Sequence, residues 1–313
     1  MFNKKRCTVS AEEAIVVSCL GDYDLGDTFE CGQAFRYELI RNEDGYKEYM
    51  TVIGDKLIRV GQSVPGELVF YGLTDEEFED IAVPYFTLNT DYTEIRKDII
   101  SKTDSQWLKV AAECAKGIAI LKQDPWEALF SFIISQNNNI PRIRKIIRKI
   151  CVEYGENLAE KAGVCPLDRT CPSEKCLECG RCYTFPTPEQ VVNAPEKLLT
   201  ANPGFRYRYL LCAAERVYSR ETNLDMIAAA RSYTHTVESL KKIVGVGDKV
   251  ASCVALFGFG NLEAFPIDVW MKRAIDTYFG GHLDHTSLGR YAGIAQQYIF
   301  HYIRNLKGEN QGN

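Results

Sequence analysis

The hydrophobic pattern of this chain changes period once, and that change constrains the fold more than any single residue does. Over the first 90 or so residues, short runs rich in β-formers (29–40, Tyr46–Ile53, 56–60 and 67–71) are separated by Gly and Asp. Gly54-Asp55 suits a two-residue hairpin turn, and Thr74-Asp75-Glu76-Glu77 suits a capping box opening an acidic helix. Beyond these the apolar residues recur at helical spacing to the end of the chain. Asp124-Pro125 supplies an N-cap and first-turn pair for a helix over 126–135. Further helices are predicted at Ile140–Tyr154, 206–219, 232–244, 249–257, 267–278 and 287–305. The fold class that follows is α+β: an N-terminal antiparallel sheet domain with a helix (1–120), then an all-helical domain (121–313), divided near 117–123.

No apolar run approaches the length needed to cross a bilayer, and no signal-like core follows the basic start. The expectation is an intracellular protein without membrane contact, in the cytoplasm or nucleoid if prokaryotic. A net charge of −5 argues against nucleic acid as a partner, but the charge is segregated. Residues 72–95 hold seven acids and no Lys or Arg, whereas 141–150 hold five bases (Arg142, Arg144, Lys145, Arg148, Lys149) and no acid. A local basic surface is what phosphate contact requires.

The stretch 240–279 is the most informative for chemistry. Gly245-Val246-Gly247 joins two helices tightly and leaves amides free at the start of the second, where a phosphate can dock. Taken alone this is equally an ordinary helix hairpin, and Lys249 at the helix start an ordinary solvated charge. Asp268 follows nineteen positions later inside the apolar run Phe265-Pro266-Ile267-Asp268-Val269-Trp270, where an unpaired carboxylate is costly. A plain N-cap is its alternative role. A helix–Gly-x-Gly–helix with Lys at the second helix start and Pro-x-Asp about twenty residues on resembles the helix-hairpin-helix DNA glycosylases; the Lys marks the members that also cut the strand.

Other motifs narrow this resemblance to the 8-oxoguanine DNA glycosylase family along nearly the whole chain. Cys31-Gly32-Gln33-Ala34-Phe35-Arg36 is similar to the family's Gly-Gln-x-Phe-Arg strand. Asn137-Asn138-Asn139-Ile140-Pro141-Arg142 is similar to its Asn-Asn-Asn-Ile-x-Arg signature, Gly204-Phe205-Arg206 to its wedge loop, and Gly293-Ile294-Ala295-Gln296 with Phe300 to its Gly-x-Ala-Gln-x-x-x-Phe helix. The resemblance implies Lys249 as nucleophile and Asp268 as stabiliser of an oxocarbenium-like sugar. It implies a base pocket in which the Gly32 carbonyl accepts from the N7 hydrogen of 8-oxoguanine, Gln296 reads the Watson–Crick edge, and Cys253 and Phe300 cover the faces. It implies DNA contacts from Gly245 and Gly247, an aromatic wedge in Phe205, and recognition of the orphaned cytosine by Asn137, Arg142 and Arg206. The partner is then double-stranded DNA containing 8-oxoguanine, bound by a monomer and excised in preference opposite cytosine. A lysine attacks only as the neutral amine, which a helix N-terminus and a dry pocket favour. Two positions depart from the eukaryotic pattern: Trp270 stands where His is expected, and Ile303 near an expected Asp.

The insert Cys165–Cys182 falls outside that pattern. Cys165, Cys171, Cys176, Cys179 and Cys182 are spaced C-x(5)-C-x(4)-C-x(2)-C-x(2)-C, and any four could form a tetrahedral thiolate site. Structural zinc is the first expectation, free or redox-active thiols the second, and iron–sulfur the third; catalysis itself needs no cofactor. Two rival functions remain: a related glycosylase for another base, and a non-catalytic DNA-binding module built on the same hairpin.

Overall fold

The computed structural model describes residues 2–162 and 180–309. Six strands form one antiparallel sheet in the order β1-β2-β6-β5-β4-β3: β1 Asn3–Val9, β2 Glu12–Ser18, β3 Tyr37–Glu43, β4 Tyr46–Ile53, β5 Lys56–Gln62 and β6 Leu68–Tyr71. The β4–β5 hairpin closes at Ile53↔Lys56 around Gly54, whose φ of 59° supplies the left-handed conformation the turn requires. Thr74 and Glu77 form the reciprocal capping box, opening the helical segment that packs Phe78 against Phe70.

The sequence expectation of a strand over 29–40 is corrected by the structure. Leu25–Glu30 is a helix capped by Asp24, Cys31–Arg36 is a turn, and the strand begins only at Tyr37. The reason lies in Gln33. Its buried amide donates to Thr28 O (2.7 Å) and Ala119 O (2.8 Å) and accepts from Leu121 N (2.8 Å). The turn is therefore tied to the 117–123 connection rather than to a neighbouring strand, and the motif resembling the family's strand is a loop here.

The helical part is built around Pro125–Ile134, almost wholly buried, capped by Asp124 with Pro125 in the first turn. Ile140–Tyr154, Tyr207–Tyr218, Asp248–Phe257 and Ala292–Glu309 surround it. One apolar cluster runs continuously from Ile15 in the sheet to Ile303 in the last helix. A buried ion pair spans the same boundary: Arg36 lies 2.7 Å from Glu127 and also donates to the Tyr183 carbonyl. Several helices are shorter than their apolar periodicity suggests. The one beginning at Tyr233 ends at Leu240, and the last begins at Ala292 after a 3-10 stretch broken at Gly289, where φ is 65°. Among the described residues, no helix is long and apolar enough to cross a membrane.

Candidate active site

Five separate parts of the chain meet in one small crevice of about 50 Å³. It is lined by Gly32, Phe132, Lys249, Cys253, Phe257, Pro266, Asp268, Gln296, Gln297 and Phe300. Lys249 enters from the first turn of Asp248–Phe257, whose N-cap is Gly247 and whose leading amides receive no side-chain cap. Its ammonium donates to Ser135 Oγ (3.1 Å) and sits 5.3 Å from the Phe132 ring centre. Ser135 Oγ in turn donates to the Phe132 carbonyl (2.7 Å), so the hydroxyl that receives the lysine is itself held. Asp268 caps Val269–Tyr278, one carboxylate oxygen accepting from Met271 N (2.8 Å); its other oxygen has no hydrogen-bond partner among the described residues. Capping and a chemical role therefore coexist in one side chain.

Cys253 lies one helical turn beyond Lys249. Burial pushes its thiol up; Lys249 opposes that shift and Asp268 adds to it. Both charges thus act on one buried sulfur, which stays protonated as an apolar wall. Facing it, Gln296 is buried, and its Oε1 accepts from Gln297 Nε2 (2.7 Å). Gly32 adopts φ +87°, and a Cβ there would touch Phe300 Cε1 at 3.5 Å and crowd an Arg304 nitrogen at 3.3 Å. Gln33 fixes the turn that carries it. The crevice thus brings together an amine, a carboxylate, two side-chain amides and several apolar groups. Such a lining suits a flat polar base more than an open surface ligand.

The DNA-contact candidates lie outside the crevice. Asn137, at φ 45°, is exposed, and its side chain makes no hydrogen bond among the described residues. Asn139 caps Ile140–Tyr154, and Arg142 is exposed beside it. Phe205 is 50% exposed at the tip of its loop, a high value for an aromatic ring. Arg206 is 2% exposed, and its guanidinium donates to the carbonyls of Pro203, Gln136 and Asn137. It braces the Asn137 loop instead of reaching outward. Of the five bases in 141–150, Arg144 and Arg148 are engaged by Glu38, leaving Arg142, Lys145 and Lys149 exposed. Trp270 carries Arg273 over its ring, and Ile303 is buried.

Gly245 has φ +87° and lies against the Tyr209 ring, whereas Gly247 is extended with nothing near its missing side chain. Sequence reasoning singled out neither Ser135, Phe132 and Phe257 nor Gln297, because each carries an ordinary helix-core or helix-face signal. Of the five insert cysteines, only Cys182 lies within the described residues. It is buried beside Met50 and Ala159, and the other four fall outside them.

A lysine at the N-terminus of a helical hairpin, a capping aspartate beside it, and an exposed aromatic near a basic surface define a DNA glycosylase of the helix-hairpin-helix class. Residues 16–129 match the model of the 8-oxoguanine DNA glycosylase N-terminal domain. A Clostridium acetobutylicum 8-oxoguanine glycosylase/lyase, solved with DNA bearing cytosine opposite 8-oxoguanine, is 32% identical with a TM-score of 0.80, covering 98% of each chain. The N-glycosylase/DNA lyases of Arabidopsis thaliana and Saccharomyces cerevisiae are 29% and 26% identical over 87% and 80% of this chain. Those matches span 75% and 66% of the two relatives' lengths. The chain belongs to the 8-oxoguanine DNA glycosylase family.

Proposed function

We propose that the chain excises 8-oxoguanine from duplex DNA and then cleaves the abasic strand. The observation that carries this reading is the convergence of Lys249 and Asp268 with Gly32, Cys253, Gln296 and Phe300 on one crevice. The sheet domain (1–120) contributes Gly32, and the helical domain (121–313) the remainder. Phosphates dock on the free amides after Gly247, aided by Gly245, and Phe205 fills the gap left when the lesion leaves the stack.

Gly32 offers its carbonyl to the N7–H that only the oxidised base carries, Gln296 pairs with the Watson–Crick edge, and Phe300 and Cys253 cover the faces. Lys249 attacks C1′ while the bond to the base breaks, and the departing base takes up a proton. The carboxylate of Asp268 stabilises positive charge on the sugar. Loss of a proton from the amine and opening of the sugar give a Schiff base. Its adjacent carbon then loses a proton, and the 3′ phosphate leaves by β-elimination.

Arg142 and Asn137 are exposed where they can meet the orphaned base, and Arg206 supports them from beneath. We assign preference for cytosine opposite the lesion to this loop, because cytosine offers two acceptors to a guanidinium. Any four of Cys165, Cys171, Cys176, Cys179 and Cys182 would supply thiolates for a structural metal, zinc before iron–sulfur; all but Cys182 fall outside the described residues. The central test is borohydride trapping on 8-oxoguanine duplex. The wild-type chain should form a covalent adduct and Lys249→Gln should form none; trapping by that variant would assign the amine elsewhere.

A further inference from the structure

Arg304 lies one turn beyond Phe300 on the last helix, with its guanidinium 5.5 Å from the Phe300 ring centre. One of its nitrogens reaches 3.3 Å from where a side chain on Gly32 would begin. It is half-buried, yet among the described residues it has no carboxylate within 4.0 Å and donates no hydrogen bond. Other sheltered arginines are satisfied: Arg36 by Glu127, Arg144 and Arg148 by Glu38, and Arg206 by three carbonyls. A sheltered guanidinium without an acceptor loses hydration and gains nothing in return, so a site of this kind fits an anion supplied from outside the chain.

Position selects the anion. Arg304 is not among the residues lining the crevice, but it lies against two that are, Phe300 and Gly32. A base held between Gly32 and Phe300 stays attached to its sugar-phosphate backbone, so the anion brought close to Arg304 is phosphate. We infer that Arg304 clamps a backbone phosphate flanking the flipped nucleotide, using a planar fork braced on the ring that covers the base. Anchoring and base reading would then be coupled through Phe300. The inference rests on the proposed function, since the crevice must receive a flipped base.

The test measures binding by fluorescence anisotropy in the Lys249→Gln background, so that affinity is read without turnover. Three duplexes carry 8-oxoguanine: one unmodified, and one each with a neutral methylphosphonate 5′ or 3′ of the lesion. With Arg304 present, one methylphosphonate should weaken binding about tenfold, the scale of one charge-assisted hydrogen-bond pair. Arg304→Met keeps the packing on Phe300. It should lose about tenfold on the unmodified duplex and nothing further on that methylphosphonate duplex. Arg304→Lys should recover part of the loss. Equal methylphosphonate penalties with and without Arg304, at both positions, overturn the inference and leave Arg304 a packing residue. Excision by the wild-type chain is scored separately, so failure of the glycosylase reading is not confused with failure of this contact.

Discussion

Replacing Gly245 by Ala should cost far more than replacing Gly247, although both glycines belong to the same short turn. At Gly245 φ is +87°, and an added Cβ would fall 2.3 Å from Tyr209 Cγ, 2.5 Å from Cδ1 and 2.6 Å from Cδ2. The clash is at the root of the ring, so turning the ring about Cβ–Cγ does not relieve it; the tyrosine must change its χ1 rotamer, or helix Tyr207–Tyr218 or the hairpin must shift. Left-handed backbone costs about 1–2 kcal/mol for a residue with a side chain, and overpacking about 1–3 kcal/mol. Gly245→Ala should therefore lose about 2–5 kcal/mol, a large share of the ~5–15 kcal/mol typical of a folded domain. Gly247 is extended, with nothing within 4 Å of its missing side chain. It is the N-cap, where Ala is worse than Gly by about 1 kcal/mol. Urea unfolding of the full chain measures both. Tyr209→Ala should restore the packing part of the Gly245→Ala loss and leave the backbone part. If Gly245→Ala stays within about 0.5 kcal/mol of wild type, or Gly247→Ala is hurt as badly, the close approach does not set the hairpin geometry.

Asp268→Asn should hold stability within about 0.5 kcal/mol, because asparagine caps as well as aspartate, while single-turnover excision slows by about 100-fold or more. A loss below tenfold would reduce Asp268 to a helix cap. Burial beside Asp24 and Glu30 raises the Asp27 carboxyl to about 6 from 3.8. Its ionised form is therefore disfavoured in the fold, and stability falls as pH rises through roughly 4 to 6. The side chain is 38% exposed, so after allowance for screening Asp27→Asn should stabilise by about 1 kcal/mol at pH 7 and by nothing near pH 4; a pH-independent effect in urea melts contradicts that. Finally, anaerobically purified protein should contain close to one zinc per chain, with chelation lowering its melting temperature. Elemental analysis finding neither zinc nor iron removes the metal reading of 165–182.

Features written in neighbouring residues are legible in the sequence itself. The Thr74–Glu77 box, the Gly54 turn and the Asp124-Pro125 helix start depend on donors and acceptors a few positions apart, and each forms as its pattern predicts. The β1–β2 hairpin escaped because its turn is Ser10-Ala11, both at positive φ without Gly, Asn or Asp to announce it. The misplaced strand over 29–40 has the opposite origin. Its residues favour β structure locally, but Gln33 bonds to backbone almost ninety positions away. Arg206 reads from sequence as an outward guanidinium and is instead consumed by carbonyls of a loop 70 residues distant.

By itself the sequence determined the kinds of element, the turn chemistry of the hairpin, and which groups could do the chemistry. Lys249 must start a helix after Gly-x-Gly, and Asp268 must cap the helix it precedes, because local backbone geometry demands both. Tertiary structure alone decided that these two share a crevice with Gly32 and Gln296. It also decided that Ser135 receives the lysine, and that Glu38 takes two bases from the basic stretch while Arg304 keeps no carboxylate among the described residues. The physical reason is range. Caps and turns are settled within a few residues, whereas the pairing of charges and the lining of a cavity depend on which distant surfaces burial brings together.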